Sequence, residues 1–246
     1  MVTKGWFAAS VICTLAGNIG VVQPYTLLFN WPAIRYQFEV WRLVTPFFFI
    51  GAFSFRTLIL CYQLVTYSQR YEMGPFNTGA GGGSADYAFM MMFHAVLMNL
   101  ICLFVTGPML IASAMVSSVV YVWSKREPNA PVSIFGVPFK AAHLPFVLVG
   151  LSLVMGNSIV DGVVGIAVGH TYYFLVDIVP ALHGKDILHT PDFLINYFGT
   201  GVYIPPAPTA TQQAWAAPGR VNPPTDAARP ASRGYNWGSG QALGSS

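Results

Sequence analysis

Hydrogen-bonding side chains share one face of the apolar stretch 56–71. Steps of three and four residues bring them to the same side of a helix. They are Gln63, Thr66, Tyr67 and Arg70. If these side chains faced lipid, each of them would cost free energy on the order of a kcal/mol or more. We therefore expect this face to line a protein interior or a water-filled groove.

A second candidate lies near the C-terminal end of the apolar sequence, where Gly165 and Gly169 form a GxxxG motif. Two glycines four residues apart make a flat surface for another helix, and packing within the same chain is favoured over dimerisation. His170 follows directly, and Asp161 and Asp177 bracket the stretch. Ionisable groups at such depth are functional candidates, although an interfacial acid and a hydrogen-bonded histidine explain them equally well.

Trp41 and Arg42 join an interface-seeking ring to a permanent cation that needs carboxylate, carbonyl or phosphate partners. The surrounding segment, 31–55, is aromatic and interrupted by Pro32 and Pro46. This pattern predicts an amphipathic, half-embedded loop rather than a membrane span. An ordinary interfacial anchor is the simpler interpretation of the Trp-Arg pair.

The residues after 204 change abruptly in composition. Of the 42 residues in 205–246, 25 are Ala, Gly, Pro or Ser, so we predict a disordered tail. Near its end Trp237 and Leu243 stand among glycines. Two large anchors with permissive backbone suit an extended peptide that docks onto a folded partner.

These residues must be positioned by apolar helices, because the composition is that of a membrane protein. Hydrophobic residues make up 54% of the chain and charged residues 9%, against roughly 25% charged in an average soluble domain. The formal net charge of +3 is too small for nucleic-acid binding. Cys13, Cys61 and Cys102 lie in separate apolar runs, which favours neither disulfides nor zinc, and no other metal or cofactor is indicated.

We predict six spans, guided by the usual length of about 17 to 25 apolar residues, below which the second and fourth fall slightly. They are 6–29, which is read as uncleaved, 56–71, 87–105, 109–123, 139–155 and 159–179, with a flexible glycine-rich link at 74–84 and a polar connection at 125–138. Basic residues number six on the side of the termini and three opposite, which places both termini in the cytosol. The predicted domains are a membrane body (1–188), a juxtamembrane segment (189–204) and the tail (205–246).

The order of short motifs resembles the Derlin family over nearly the whole chain. The motifs are Trp6-Phe7-Ala8-Ala9, Trp41-Arg42, Tyr67-Ser68, Arg70-Tyr71-Glu72, Ala85-Asp86-Tyr87, Tyr121-Val122-Trp123, Phe139-Lys140-Ala141, Leu144-Pro145, Gly169-His170 and Thr190-Pro191. Derlins are rhomboid-like pseudoproteases of endoplasmic-reticulum-associated degradation. The resemblance implies an all-α, six-transmembrane rhomboid-like helical bundle in the endoplasmic reticulum membrane, with no cofactor.

The resemblance also implies partners and mechanism. The tail is similar to the SHP box that recruits the valosin-containing-protein type of AAA ATPase, and the matching residues are Gly234, Trp237, Gly238, Gly240, Leu243 and Gly244. A lateral groove with local membrane thinning would pass misfolded clients, beside a ubiquitin-ligase complex. Homo- or hetero-oligomerisation stays open, and so does the identity of the clients.

Proteolysis requires a serine nucleophile and a base. The rhomboid pattern places the serine within GxSG on the fourth span, but Ser113, Ser117 and Ser118 lack those glycines, although His170 could serve as a base. We therefore expect no catalysis. The chain could also be a pure membrane adaptor for the ATPase or, less favoured because matching broken-helix halves are not evident, a small-molecule transporter.

Overall fold

The computed structural model describes residues 1–73, 82–104, 110–134, 136–155, 158–183 and 188–198. All of these lie within one compact unit, Met1–Trp215. The ATPase-docking residues of the tail lie outside the described residues. The predicted link 74–84 is described only from Gly82, and its last three residues are already helical.

The described chain is mostly helical. Its long helices, in chain order, are α1 (Val2–Asn18), α3 (Phe55–Met73), α4 (Gly82–Cys102), α5 (Ile111–Arg126), α6 (Leu144–Val154) and α7 (Val160–Tyr173), with α2 (Trp31–Gln37), α8 (Val179–His183) and α9 (Asp192–Phe198) as short ones. Two of the helical stretches described are long and apolar enough to cross a membrane, 83–102 and 160–182. The six-span arrangement stays a prediction.

Helix α5 is the centre of the bundle. It packs most extensively against α7 and also against α3 and α6. Of its 16 residues, 14 are buried, so it has almost no face left for solvent or lipid. Ala114, Ser117 and Ser118, spaced three and four residues apart, keep the side of α5 that faces α7 narrow, which allows the two backbones to approach closely.

The first predicted span is too long at its C-terminal end. Helix α1 stops at Asn18, and Gly20 has a φ of 81°, in the left-handed region that favours glycine. The chain then enters a 3-10 turn at Pro24–Leu27, where the fixed φ of proline suits the first position of a helical turn. The remainder of 6–29 therefore belongs to the aromatic loop.

The fifth predicted span is also shorter than expected. Strands β1 (Pro131–Ile134) and β2 (Val137–Lys140) form an antiparallel hairpin, which corrects the all-α expectation. The span predicted to begin at residue 139 begins as helix α6 at Leu144 and has 11 residues. At 1.5 Å per residue, α6 is only about 16 Å long.

The sixth predicted span continues beyond its expected end. Helix α7 passes through a π-helix at Phe174–Ile178 into α8, which contains Pro180. Proline donates no backbone hydrogen bond and its ring crowds the carbonyl four residues earlier. The wider π-helical turn just before Pro180 accommodates this crowding without ending the helix.

Candidate functional site

The four residues of the polar face predicted on α3 differ in their burial. Gln63 and Tyr67 are buried, Thr66 is half-buried and Arg70 is exposed. The Tyr67 ring lies 5.0 Å from the ring of Trp123 on α5, and the Arg70 guanidinium lies 5.0 Å from the centre of the same Trp123 ring. Arg70 is thus held at the end of the face by cation–π contacts.

A groove opens between α3 and α6 beside the hairpin. Its outer cavity has a volume of about 260 Å³ and is lined by Ile59, Tyr62, Gln63, Tyr67, Ser133, Ile134, Leu148 and Leu151. An inner cavity of about 40 Å³, large enough for a water molecule, shares Gln63 and the nearby apolar residues. We call the two cavities together the α3–α6 groove. Gln63 lies where they meet.

The inner cavity ends at an ion pair between helices. Arg56 at the start of α3 lies 3.2 Å from Asp161 at the start of α7, and Ser113 on α5 donates a hydrogen bond of 2.8 Å to the same carboxylate. Ser117 also lines the inner cavity. The inner end of the groove is therefore charged and hydroxyl-rich, and it joins three helices.

The serines of α5 do not pair with the histidine of α7. His170 lies 2.8 Å from the hydroxyl of Tyr121, while Ser117 donates to the Ser113 carbonyl. Ser118 lies 2.9 Å from Nδ1 of His94 on α4, but both side chains are fully buried. In the described ranges no group of three or more His, Cys, Asp or Glu side chains could hold a metal ion.

The two glycines of the GxxxG motif lie against α5. A Cβ atom at Gly165 would lie 2.4 Å from the Ala114 carbonyl oxygen, and one at Gly169 would lie 2.8 Å from the Ser118 carbonyl oxygen. Both distances are shorter than real Cβ contacts. The motif thus allows α5 and α7 to pack more extensively than any other pair of helices in the described ranges, and this contact is within the chain.

Arg42 organises the aromatic loop from inside. Its side chain is buried, pairs with Glu39 and donates hydrogen bonds to the carbonyls of Tyr25 (2.6 Å) and Leu28 (2.9 Å). Trp41 points outward and is 49% exposed. The two neighbours therefore have different environments, a buried structural cation and an exposed ring that suits a membrane interface.

A buried charged network at the opposite end of the bundle was not predicted. Arg126 at the end of α5 lies 3.0 Å from Asp177 in the π-helix and donates a 2.6 Å hydrogen bond to the Tyr71 hydroxyl of α3. The side chains of Arg126 and Asp177 are both almost completely buried. The available signal was a pair of opposite charges, Arg126 just after the fourth predicted span and Asp177 near the end of the sixth, which the predicted topology places on the same side of the membrane.

Glu72 holds the start of α1, a contact also missed from the sequence. Its carboxylate accepts hydrogen bonds from the backbone N–H groups of Val2 (2.9 Å) and Thr3 (3.0 Å), from the Ser84 hydroxyl (2.6 Å) and from the Met1 ammonium. Burial raises the pKa of Glu72, but these donors outweigh burial and lower the pKa to about 2. Glu72 is thus a carboxylate cap supplied by another helix.

Fold and site together define a class: a helical protein with at least two membrane-crossing candidates among its described helices and a polar groove beside its central helix. The model of the Der1-like family matches residues 1–192. The chain belongs to the Der1-like family.

Relatives from distant organisms match most of the chain. Derlin-1 of Homo sapiens is 36% identical over 222 residues, covering 84% of this chain and 84% of the human protein. Derlin-1 of Oryza sativa subsp. japonica is 36% identical over 187 residues, covering 75% and 74%. A probable derlin-2 homolog of Dictyostelium discoideum is 33% identical over 203 residues, covering 80% and 78%. The resemblance to Derlins is thus confirmed.

Proposed function

We propose that this protein is a non-catalytic retrotranslocation component of endoplasmic-reticulum-associated degradation. It resides in the endoplasmic reticulum membrane, crosses it six times and has both termini in the cytosol. Family membership supports the pathway and the membrane. The observation that carries the mechanism is the α3–α6 groove, a polar path on the side of a helical bundle.

The groove lowers the cost of moving polar segments through the bilayer. Gln63 and Tyr67 offer hydrogen-bonding groups midway along α3, and the Arg56–Asp161 pair with Ser113 continues the polar lining at one end. A client segment in this groove would exchange hydration for protein hydrogen bonds rather than for hydrocarbon. In the outer cavity α6 contributes Leu148 and Leu151, apolar side chains that can pack against varied client side chains.

The short helix α6 provides a reason for local membrane thinning. With the 3-10 turn that leads into it, α6 forms an apolar helical stretch, Ala141–Val154, of about 22 Å, which is below the hydrocarbon thickness of about 30 Å. A bilayer beside a short hydrophobic element thins to match it. Thinning at α6 would therefore occur at the groove, where it shortens the path of a client.

The pairing of the serines and histidines supports a non-catalytic role. A nucleophile must be reachable by substrate and activated by a base. Ser118 contacts a histidine but is fully buried, whereas His170 contacts a tyrosine. The protein therefore handles its clients without cleaving them.

The tail supplies the connection to a motor. We propose that Gly234, Trp237, Gly238, Gly240, Leu243 and Gly244 dock a valosin-containing-protein type AAA ATPase, which pulls clients emerging beside a ubiquitin-ligase complex. In this arrangement the membrane body provides the path for the clients, and the tail recruits the ATPase that pulls them.

Extraction of a membrane-embedded client from proteoliposomes tests the groove. Gln63→Leu, at the residue that lines both cavities, should slow extraction about fivefold, the equivalent of a lost hydrogen bond of about 1 kcal/mol. Gln69→Leu is the matched control, because it makes the same change at an exposed position of α3. If the groove variant extracts the client normally but no longer associates with partner subunits, the protein is an adaptor and the groove is not the path of the client.

Binding of the purified ATPase to the full-length protein in nanodiscs tests recruitment. Trp237→Ala and Leu243→Ala should each abolish saturable binding, because each removes one of two anchors. Trp215→Ala, in the same tail, should leave binding unchanged. Equal binding by all variants would show that the terminal motif is not the docking site.

A further inference from the structure

Helix α9 has three chemically different faces. At 100° per residue, Phe193 and Tyr197 lie about 40° apart on one face. They are 61% and 81% exposed, whereas Leu194, on the next face, is buried. Asp192 and Asn196 form the third face and are exposed. The helix is therefore apolar on two sides, of which the protein covers only one.

The covered side of α9 fixes its position along α4. Helix α9 packs on α4, and just before it Thr190 donates a 2.6 Å hydrogen bond to Asp86. Both Thr190 and Asp86 are buried. Asp86 lies in the first turns of α4, immediately before the span predicted from residue 87 and within the stretch 83–102 that can cross a membrane. Helix α9 therefore lies at the level where α4 would enter the bilayer.

We infer that α9 lies in the cytosolic interface of the bilayer, with Phe193 and Tyr197 inserted among phospholipids. An interfacial helix needs an apolar face toward the acyl boundary and a polar face toward water, which are the two uncovered faces of α9. Aromatic rings are also the side chains that prefer the headgroup level. This inference rests on α4 spanning the membrane, which is part of the proposed function.

Site-specific photocrosslinking in phosphatidylcholine vesicles tests this inference. The full-length protein carries p-benzoylphenylalanine in place of Tyr197, Asn196 or Val96, and mass spectrometry detects addition of one phospholipid. Val96 is a reference for lipid contact, because it is 62% exposed in the middle of α4. We expect lipid adducts at 197 and 96 and several-fold fewer at the neighbouring position 196.

The outcomes separate the inference from the proposed function. Adducts at 96 with none at 197 would overturn the interfacial position of α9 and leave the span intact. The absence of adducts at 96 would overturn both the interfacial position of α9 and the proposal that α4 spans the membrane. Crosslinking of position 197 to protein in place of lipid would also overturn the inference. Phe193→p-benzoylphenylalanine repeats the test on the same face if the variant at 197 fails to fold.

Discussion

Arg126 connects three helices of the bundle through one side chain. It is fully buried, pairs with Asp177 after the end of α7, and donates to Tyr71 of α3. Desolvating both ions is costly, so the pair contributes to stability only while both partners are present. Its main effect is to fix α3, α5 and the π-helix relative to one another.

Removing one member of the Arg126–Asp177 pair should be strongly destabilising. Asp177→Leu or Arg126→Met leaves a buried charge uncompensated and should cost about 3 kcal/mol or more in unfolding free energy. The double variant should cost less than the sum of the two, which thermal unfolding in detergent would show. Lys125→Met, on the neighbouring residue, is the control. Additive losses in the double variant would contradict a coupled pair.

Glu72 should make stability depend on acid. The folded-state pKa of about 2 lies below the ordinary value of 4.5. The carboxylate therefore stabilises the fold fully above about pH 4.5, and this contribution is lost as the pH falls through 2. Glu72→Gln should lower the unfolding free energy by about 1 kcal/mol at neutral pH, the usual value for a helix cap.

The difference between the parent and Glu72→Gln should shrink between pH 4.5 and 2, measured by denaturant unfolding at each pH. Glu127→Gln, in the polar turn after α5, is the matched control and should change stability by less than about 0.5 kcal/mol. A difference that stays constant over this pH interval would show that the Glu72 charge does not hold the start of α1.

The pairing of α5 with α7 depends on glycine at two positions. Gly165→Ala places a methyl group 2.4 Å from the Ala114 carbonyl oxygen. Because backbone must shift, we expect a loss of about 1 to 3 kcal/mol in thermal unfolding. Gly169→Ala, with 2.8 Å to the Ser118 carbonyl oxygen, should cost less.

Gly150 provides the matched control, because it lies within α6 and a Cβ atom there meets nothing within 4 Å. Gly150→Ala should stabilise the helix by about 0.5 to 1 kcal/mol through reduced backbone entropy. Equal effects of alanine at positions 150 and 165 would mean that α5 and α7 are not closely packed.

Hydrophobic patterning predicted the elements better than their ends. The polar face of α3 and the glycine face of α7 follow from local spacing, so residues 63 and 165 were identified from the sequence alone. The end of α1 and the start of α6 depend on turn chemistry and on a hairpin that begins inside the connection predicted to be polar. Local apolar content does not contain that information.

Local sequence patterns could not predict the contacts between residues that are far apart in the chain. Arg126 and Asp177 are 51 positions apart, and their meeting depends on the register of α7 after the π-helix. A π-helical turn adds a residue and so rotates the C-terminal part of the helix by about 100° relative to a regular helix. Its charge made Asp177 a candidate without indicating its partner.

For the whole molecule, the proposed mechanism requires the groove to stay open. Tyr62 on α3 and Leu151 on α6 line opposite sides of the outer cavity. Tyr62→Cys with Leu151→Cys, joined by a short bismaleimide in a Cys13→Ala, Cys61→Ala background, should reduce client extraction severalfold. The single Tyr62→Cys variant treated with the same reagent is the control. Normal extraction by the joined protein would place the client path elsewhere.

The hairpin beside the groove has an unusual hydrogen-bonding edge. The Ala141 N–H donates to the Ala130 carbonyl (3.0 Å), so in the alternating antiparallel pattern the pair Val132 and Phe139 also bonds inward. The alternate pairs, Pro131 with Lys140 and Ser133 with Pro138, direct their backbone groups outward. Each strand therefore lacks one outward N–H donor, because proline has none.

This arrangement bears on the fate of an unfolded polypeptide that passes the hairpin. Ser133 and Ile134 line the groove, so an extended client would run alongside a short strand with an open edge. A strand edge with all of its backbone N–H donors could pair with the client as a third strand and hold it there. Proline at an outward position on both strands removes donors that such pairing needs, so under the proposed mechanism a client would pass the hairpin without being held by backbone hydrogen bonds.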